Sequence, residues 1–332
     1  MAGREVFARE DQSFAWADVV LAELHRGGWV ELEHRTGAGL AARRAAVASG
    51  RELSAAETTA AARAFRFERG LLAGEQLDEW LEGWGIGLAE WREYLRRELL
   101  RGRSTGTGEV GDDEVSAAIG VEAICSGVLE AAAGRLAAQA ALGSPEAEPA
   151  TSGGRVDVVA AAELLGISPE QCAERLELVE RLDAAATLAR AELVGGDAVA
   201  EELAKHRQEW LRLELGVLAL DSEDAAREAL LCLRLDGLEL PAVASRARRD
   251  LRRLSTTLAE APEWLAPYIV GVGEGSVIGP VRHDPGFAVV VVESRREPTL
   301  ENPPVRERAE AAVVTRAVQR QVASRIVWRE RF

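Results

Sequence analysis

The sequence predicts a mainly α protein with a smaller α+β domain. Apolar residues recur at helical spacing through most of residues 1–207, polar and apolar residues alternate from about residue 210, and a β-branched run occupies 287–293. The chain has 332 residues, which is long for one hydrophobic core. We therefore expect more than one domain, with the strands confined to the later one.

Residues 1–103 are predicted to form a helical N-terminal domain. One helix is expected from Phe14 to His25, because apolar residues recur on one face and two glycines follow. Another should begin at Ser54, since Ser54 and Glu57 have the spacing of a capping box, in which each side chain satisfies a free backbone N–H of the helix start.

Tryptophans are concentrated near the end of this helical domain. Residues 71–100 form two amphipathic patterns separated by the glycines of 83–87, and they carry Trp80, Trp84 and Trp91. Tryptophans at helical spacing are typical of a core, and the alternative is an apolar surface that binds peptides. The pattern leaves both interpretations open.

Two segments rich in Gly, Ser, Pro and Glu interrupt the helical pattern, at 104–112 and 143–154. An alanine-rich helix is expected between them, from about residue 113 to 142. It should bury little area per residue, so we take 104–155 as a linker that contains this helix. Residues 156–207 are predicted to be a helical connector.

Strand patterns define the next part of the chain. Residues 210–220 begin with alternating apolar and polar positions, 224–237 form a capped amphipathic helix, and 287–293 are the clearest strand. Residues 208–297 are therefore predicted to be one α+β unit.

The last segment, 298–332, is predicted to be a helix. Apolar residues recur at every fourth position from Val314 to Ile326, and such a stripe requires a partner surface. We expect that surface to be the N-terminal domain.

Composition and charge exclude several classes of partner. The net charge of −15 and the pI near 5.0 oppose the phosphate backbone, so no nucleic acid partner is expected. No apolar run approaches 18 residues, so no membrane partner is expected either. The first residues lack the apolar stretch of an export signal, which predicts a cytoplasmic protein.

No catalytic residue, cofactor or metal site is predicted from motifs. The three cysteines are far apart, and the four histidines lack metal-ligand spacing. Residues 271–275 are glycine-rich but are not followed by the Lys-Ser/Thr of a phosphate-binding loop.

Two stretches of the α+β unit match a known pattern. Residues 224–237, followed by Leu240 and Val243, resemble the first helix of parvulin-type peptidyl-prolyl isomerase domains, and 275–281 with 286–287 resemble the end of those domains. The resemblance covers about residues 208–297. It implies a parvulin-like α+β domain.

The helices of 1–103 and the last helix resemble the chaperone half of PpiC/SurA-like proteins of the same family. This resemblance implies a SurA-like helical chaperone domain that is closed by the C-terminal helix. It adds a second domain type to the parvulin-like one.

The parvulin pattern is incomplete in this sequence. The family twists an X-Pro amide, whose rotation barrier is about 18–20 kcal/mol, with an apolar proline pocket and a pair of histidines. No histidine occurs between His206 and His283, and the second expected position is Ala288. His283 is expected to be exposed in the turn before it. Because alanine forms no side-chain hydrogen bond, we expect a degenerate parvulin fold that retains polypeptide binding.

A further resemblance, to a smaller group within this family, indicates which kind of polypeptide the protein binds as its client. Residues 78–97 and 263–281 are similar to PpiC/SurA-related peptide maturation system proteins, which are associated with ribosomally made, modified peptides (RiPPs). This implies a chaperone-like protein that binds an unfolded or precursor peptide and presents it to peptide-modifying enzymes. The alternatives are an active peptidyl-prolyl cis-trans isomerase and a peptide-modifying enzyme with an unrecognised site.

Large apolar side chains are the candidates for peptide binding. Those in the α+β unit correspond to the proline pocket in the resemblance, although ordinary sheet core explains them equally well. The full candidate set is Trp80, Trp84, Trp91, Trp264, Leu265, Tyr268 and Phe287.

Overall fold

The computed structural model describes residues 2–51, 53–103, 110–143 and 156–330. The chain divides into two compact units, unit 1 with residues 1–191 and 317–332, and unit 2 with residues 192–316. Most of the first predicted linker and all but the start of the second, at 104–109 and 144–155, lie outside the described residues. The elements confirm the predicted class, a mainly α protein with a smaller α+β part.

Unit 1 consists of helices and one small sheet. Its helices are α1 (Trp16–Arg26), α2 (Gly28–Ala48), α3 (Ala55–Glu68), α4 (Gly74–Trp84), α5 (Leu88–Arg101), α6 (Asp112–Cys125), α7 (Val128–Leu142), α8 (Val158–Leu165) and α9 (Pro169–Leu193). Its sheet has the order β2-β1-β7, formed by β1 (Glu5–Arg9), β2 (Gln12–Ala15) and β7 (Ile326–Trp328).

This small sheet was not predicted. The chain forms a hairpin before α1, in which the rings of Phe7 and Phe14 stack at 4.6 Å, so Phe14 belongs to a strand and not to the helix start. At the other end the last helix stops at Arg325, and β7 pairs antiparallel with β1. The strands are short, and they are stabilised by their pairing and by the packing of Phe7, Phe14 and Ile326 in the core of unit 1.

The core of unit 1 includes α6 and α7, which the sequence placed in a linker. Five alanines of α7 are completely buried, and Ile119 of α6 is 3% exposed. Small side chains on α7 allow neighbouring helices to approach closely, so an alanine-rich helix packs densely without large residues. The five alanines are Ala132, Ala133, Ala137, Ala140 and Ala141.

Two arginines, Arg9 and Arg325, donate hydrogen bonds to the last turn of α7. Nη1 of Arg9 in β1 donates to the carbonyl of Ala140 at 2.5 Å, and Nη1 of Arg325 donates to the carbonyl of Ala141 at 3.1 Å. Guanidinium groups stabilise the free carbonyls of a helix C-terminus.

Of the described helices, none is long and apolar enough to cross a bilayer alone. The pair α6 and α7 would be long and apolar enough together, but the two helices are bent by 67° relative to each other.

Unit 2 contains a four-stranded antiparallel sheet of order β4-β3-β6-β5. Its elements are α10 (Gly196–Lys205), β3 (Arg212–Leu220), α11 (Glu223–Arg234), α12 (Leu240–Ala247), β4 (Leu251–Thr257), α13 (Ala266–Ile269), β5 (Val277–His283), β6 (Gly286–Arg296) and α14 (Pro303–Arg325), whose last residues belong to unit 1.

The two faces of this sheet carry separate cores. Ala288 and Val290 pack with Leu265 on one face, whereas Phe287 and Val289 pack with α11 and α12 on the other. Successive residues of a strand point to opposite faces, which produces this division. The strand predicted at 287–293 is confirmed as the central part of β6.

Candidate functional site

An apolar cleft of about 470 Å³ lies in unit 1. It is bounded by α1, α2, α6, α8 and the turn between α4 and α5. The side chains that form its walls include Trp16, Trp29, Trp84, Ile86, Ile119 and Leu165. Aromatic and aliphatic walls of this kind suit an apolar ligand group.

The turn after α4 places Trp84 and Ile86 in the cleft wall. Gly85 ends the helix in the left-handed region, with φ +67°, which glycine adopts without steric cost. The reversed chain is held by a hydrogen bond of 2.9 Å from the Ile86 N–H to the carbonyl of Leu81. The glycines at 83–87 therefore act as a helix stop that presents two apolar side chains.

Trp84 is fixed from both sides. Its ring centroid lies 4.9 Å from that of Trp16, and the guanidinium carbon of Arg4 lies 5.1 Å from its ring. Arg4 also donates to the carbonyl of Gly83 and forms an ion pair of 2.6 Å with Glu330. A cation over an indole face and a tilted aromatic neighbour both restrict the ring, so Trp84 is positioned before a ligand binds.

The start of α1 is fixed by a buried carboxylate. Asp18 is 1% exposed, accepts a hydrogen bond of 2.7 Å from the Ala15 N–H, and lies 2.9 Å from Nη1 of Arg175 in α9. Burial raises the pKa of Asp18, while the Ala15 hydrogen bond and Arg175 act in the opposite direction. This contact orients the first turn of α1, which carries Trp16.

One residue that lines the cleft, the exposed Gly120, has no side chain. Gly120 belongs to α6, and a Cβ at this position would meet no atom within 4 Å. The charged group in the wall is Glu90, whose carboxylate accepts a hydrogen bond of 2.7 Å from the Gly87 N–H at the start of α5. The cleft is thus mainly apolar, with one anchored carboxylate.

The three candidate tryptophans of unit 1 lie in two different environments. Trp84 lines the cleft, whereas Trp80 and Trp91 contact Phe65 at centroid distances of 5.5 and 5.6 Å and belong to the core. Trp91 is 3% exposed. The sequence did not point to Trp16, Trp29 or Ile119, because the cleft joins helices that are distant in the sequence.

The four candidates in unit 2 do not form one pocket. Leu265 is fully buried on the sheet face of Ala288, and Trp264 packs at its edge. Tyr268 is half exposed, and Phe287 lies on the opposite face with α11 and α12. A pocket that joins Phe287 to the other three is therefore excluded by the alternation of β6.

The environment of His283 also differs from the prediction. It is half-buried, and its ring meets that of Trp264 edge-on at 4.6 Å. Ala288, which stands where the parvulin pattern has a histidine, is completely buried. Among the buried described residues of 208–297, the polar side chain is that of Thr256, and its hydroxyl donates to the Thr257 carbonyl.

Other reactive groups are inactive or isolated in the described part of the chain. Burial raises the pKa of the Cys125 thiol to about 12, so it remains protonated near neutral pH and is a poor nucleophile. No group of three or more His, Cys, Asp or Glu side chains within the described ranges is placed to hold a metal ion.

No protein family model matches the chain, and no curated protein matches it. Solved structures to which the chain is similar include the peptidylprolyl isomerase PrsA from Bacillus cereus, with a TM-score of 0.32 and 11% identity, covering 67% of this chain and 88% of that one. PrsA from Bacillus anthracis has a TM-score of 0.23 and 9% identity, with 50% and 79% covered.

A third similar structure comes from work on PEB4 and Cj1289, two SurA-like chaperones of Campylobacter jejuni. Its TM-score is 0.21 and its identity 12%, with 52% of this chain and 70% of that chain covered.

Proposed function

We propose that this protein is a chaperone-like polypeptide-binding protein and that the cleft of unit 1 holds apolar side chains of an unfolded client. The observation that carries this proposal is the half-buried ring of Trp84, which lines the cleft together with the exposed Gly120 and is backed by the buried Trp16. Burial of apolar surface favours binding by about 25 cal/mol per Å². An aromatic lining of this kind accepts many apolar side chains, which suits clients of variable sequence.

The charge of the protein indicates which residues should flank the apolar side chain of the client. The chain carries a net charge of −15, and Glu90 lies in the cleft wall. A basic residue next to the apolar one would be attracted to this site, and attraction of that kind raises association rates. The preferred client segment is therefore apolar and flanked by Lys or Arg.

The finer part of the proposal concerns the client's origin. The client is a precursor peptide in the maturation of a ribosomally made, modified peptide, held in the cytoplasm and presented to peptide-modifying enzymes. The similarity of 78–97 and 263–281 to peptide maturation system proteins supports this, and 78–97 includes the turn that carries Trp84.

A glycine replacement tests the cleft without removing any of its contacts. In Gly120→Leu the new side chain would be added to the lining of the cleft, where a Cβ has open space. Gly134→Leu is the matched control, because Gly134 is also exposed in a helix, has no atom within 4 Å of a Cβ, and is not part of the cleft. Both changes favour the helix, so neither should unfold the protein.

Binding is measured with two probes. Fluorescein-labelled, carboxymethylated lactalbumin reports on unfolded protein by anisotropy, and a precursor peptide encoded beside the gene is titrated by calorimetry. We expect Gly120→Leu to weaken binding of both probes about tenfold and Gly134→Leu to leave it unchanged. Equal binding by both variants, or no binding of either probe, would contradict the proposal.

A second candidate function is prolyl isomerisation in unit 2. The observation that favours it is the contact of His283 with Trp264, which places an imidazole beside an apolar ring. Turnover of a proline peptide by the wild type, lost in His283→Ala, would support it. The buried alanine at position 288 makes polypeptide binding the better supported function.

A further inference from the structure

A second apolar surface of unit 1 lies at the turn between α3 and α4. Phe67 is 77% exposed and Leu72 is 71% exposed, although both are large apolar side chains. Together with Ala64, Leu71, Arg63 and Arg66 they line a groove of about 440 Å³, here called the Phe67 groove. None of these residues lines the cleft that contains Trp84.

The Phe67 groove is held in shape by its own backbone. Arg66 donates to the carbonyls of Leu71, Leu72 and Ala73 at 3.0, 3.1 and 3.1 Å. Gly70 adopts a φ of +67°, and the Leu71 N–H donates to the Arg66 carbonyl at 2.8 Å. A turn with this many internal bonds loses little freedom when a ligand binds, which is the advantage of a preorganised site.

The charge of the Phe67 groove is opposite to that of the chain as a whole. Two arginines line it in a protein whose net charge is −15. Arg66 is engaged with backbone carbonyls, whereas Arg63 is exposed and forms no hydrogen bond or ion pair with another described residue. A guanidinium in this position can bind a carboxylate through two parallel hydrogen bonds.

We propose that the Phe67 groove binds a segment of a partner protein that carries an apolar side chain next to Asp or Glu. Phe67 and Leu72 would cover the apolar side chain, and Arg63 would bind the carboxylate. This chemistry differs from the apolar-basic segment expected in the cleft. The chain would then bind its client at one surface and a second polypeptide at another.

Two labelled peptides test this proposal, the acidic Ac-GEDLFEDG-NH2 and the basic Ac-GKKLFKKG-NH2, each with a fluorescein tag and measured by anisotropy on the full chain. The variants are Phe67→Ser and Arg63→Glu. Val47→Ser and Arg51→Glu are matched controls, because Val47 is 58% exposed and Arg51 is exposed, and neither lines the Phe67 groove.

We expect each variant of the Phe67 groove to weaken binding of the acidic peptide about tenfold or more and to leave binding of the basic peptide, which suits the cleft, unchanged. The controls and Gly120→Leu should bind the acidic peptide as the wild type does, so the result is independent of the cleft. Binding of the acidic peptide that neither groove variant weakens, or equal losses in the controls, would overturn the proposal. A dimer in sedimentation that Phe67→Ser dissolves would also overturn it, because the occupant would then be a second copy of this chain.

Discussion

Oε2 of Glu122 lies 3.3 Å from Nη2 of Arg97, and the two side chains are only 1% and 5% exposed. The other carboxylate oxygen contacts Arg35 at 3.2 Å and Arg101 at 3.1 Å. One carboxylate from α6 is therefore shared by guanidinium groups from α2 and α5 inside unit 1. A buried charge of this kind is stable only while its partners remain.

Replacement of Glu122 by glutamine should destabilise unit 1 strongly. The change keeps the shape but leaves three arginines without their shared buried anion, and breaking a buried pair costs about 3–5 kcal/mol. Urea denaturation measures the loss. Glu98→Gln is the control, since Glu98 contacts Arg35 and Arg101 but is 41% exposed, and we expect a loss below about 1 kcal/mol. Equal losses in the two variants would contradict this view of Glu122.

The capping box at the start of α3 should make stability depend on pH. The Ser54 hydroxyl and backbone N–H donate to Oε2 of Glu57 at 2.7 and 2.8 Å, and Arg103 lies beside the other oxygen. These contacts lower the pKa of Glu57 from about 4.5 to about 2. The folded pKa is depressed, so the stabilisation is complete above the unfolded pKa and is lost as pH falls from about 4.5 to about 2.

Thermal unfolding of the wild type and Glu57→Gln between pH 2 and pH 6 checks this. The wild type should melt higher at pH 6, and the two curves should converge as the pH approaches 2. A difference in melting temperature that stays constant over this range would show that the charge of Glu57 is not responsible.

Gly286 should not tolerate a side chain. A Cβ there would lie 2.2 Å from the carbonyl oxygen of Leu220, which is backbone and cannot rotate away. We expect Gly286→Ala to destabilise unit 2 by about 1–3 kcal/mol, the usual cost of overpacking. Gly273→Ala is the control, because a Cβ at that position meets no atom within 4 Å. Differential scanning calorimetry measures the melting temperature of both variants. If the steric clash is the cause, only Gly286→Ala lowers it; an equal change in both variants would instead indicate a general effect of replacing glycine.

The wild type should not accelerate prolyl isomerisation. Ala288, where the sequence resemblance to parvulins implies a histidine, is buried against apolar neighbours, and its side chain forms no hydrogen bond. A protease-coupled assay with a proline peptide measures the rate, which we expect to equal the uncatalysed one. Clear turnover that is abolished in Phe287→Ala would favour the isomerase function over binding alone.

Local signals in the sequence predicted local structure well. The capping box predicted at Ser54 is formed, with reciprocal hydrogen bonds between Ser54 and Glu57. The β-branched run at 287–293 lies within a strand. In each case the residues that determine the structure are neighbours in the chain, so spacing alone is sufficient.

Features that depend on distant residues were missed. The strand of residues 5–9 forms because residues 326–328 pair with it, and no local pattern shows this. Trp84 was identified as a candidate, but Trp16 and Ile119 reach the same cleft only through helix packing. Phe287 and Ala288 are neighbours in β6 and lie on opposite faces of the sheet, as the alternation of a strand requires.

The pairing of β1 with β7 has a consequence for biosynthesis. β1 leaves the ribosome more than 300 residues before its partner strand β7, which carries Trp328, whose ring lies 5.5 Å from that of Phe7. Unit 2 is continuous from 192 to 316, so all its strands are synthesised before that sheet can be completed. Domains fold as units during synthesis, so the apolar hairpin of β1 and β2 stays without its third strand until β7 has been made.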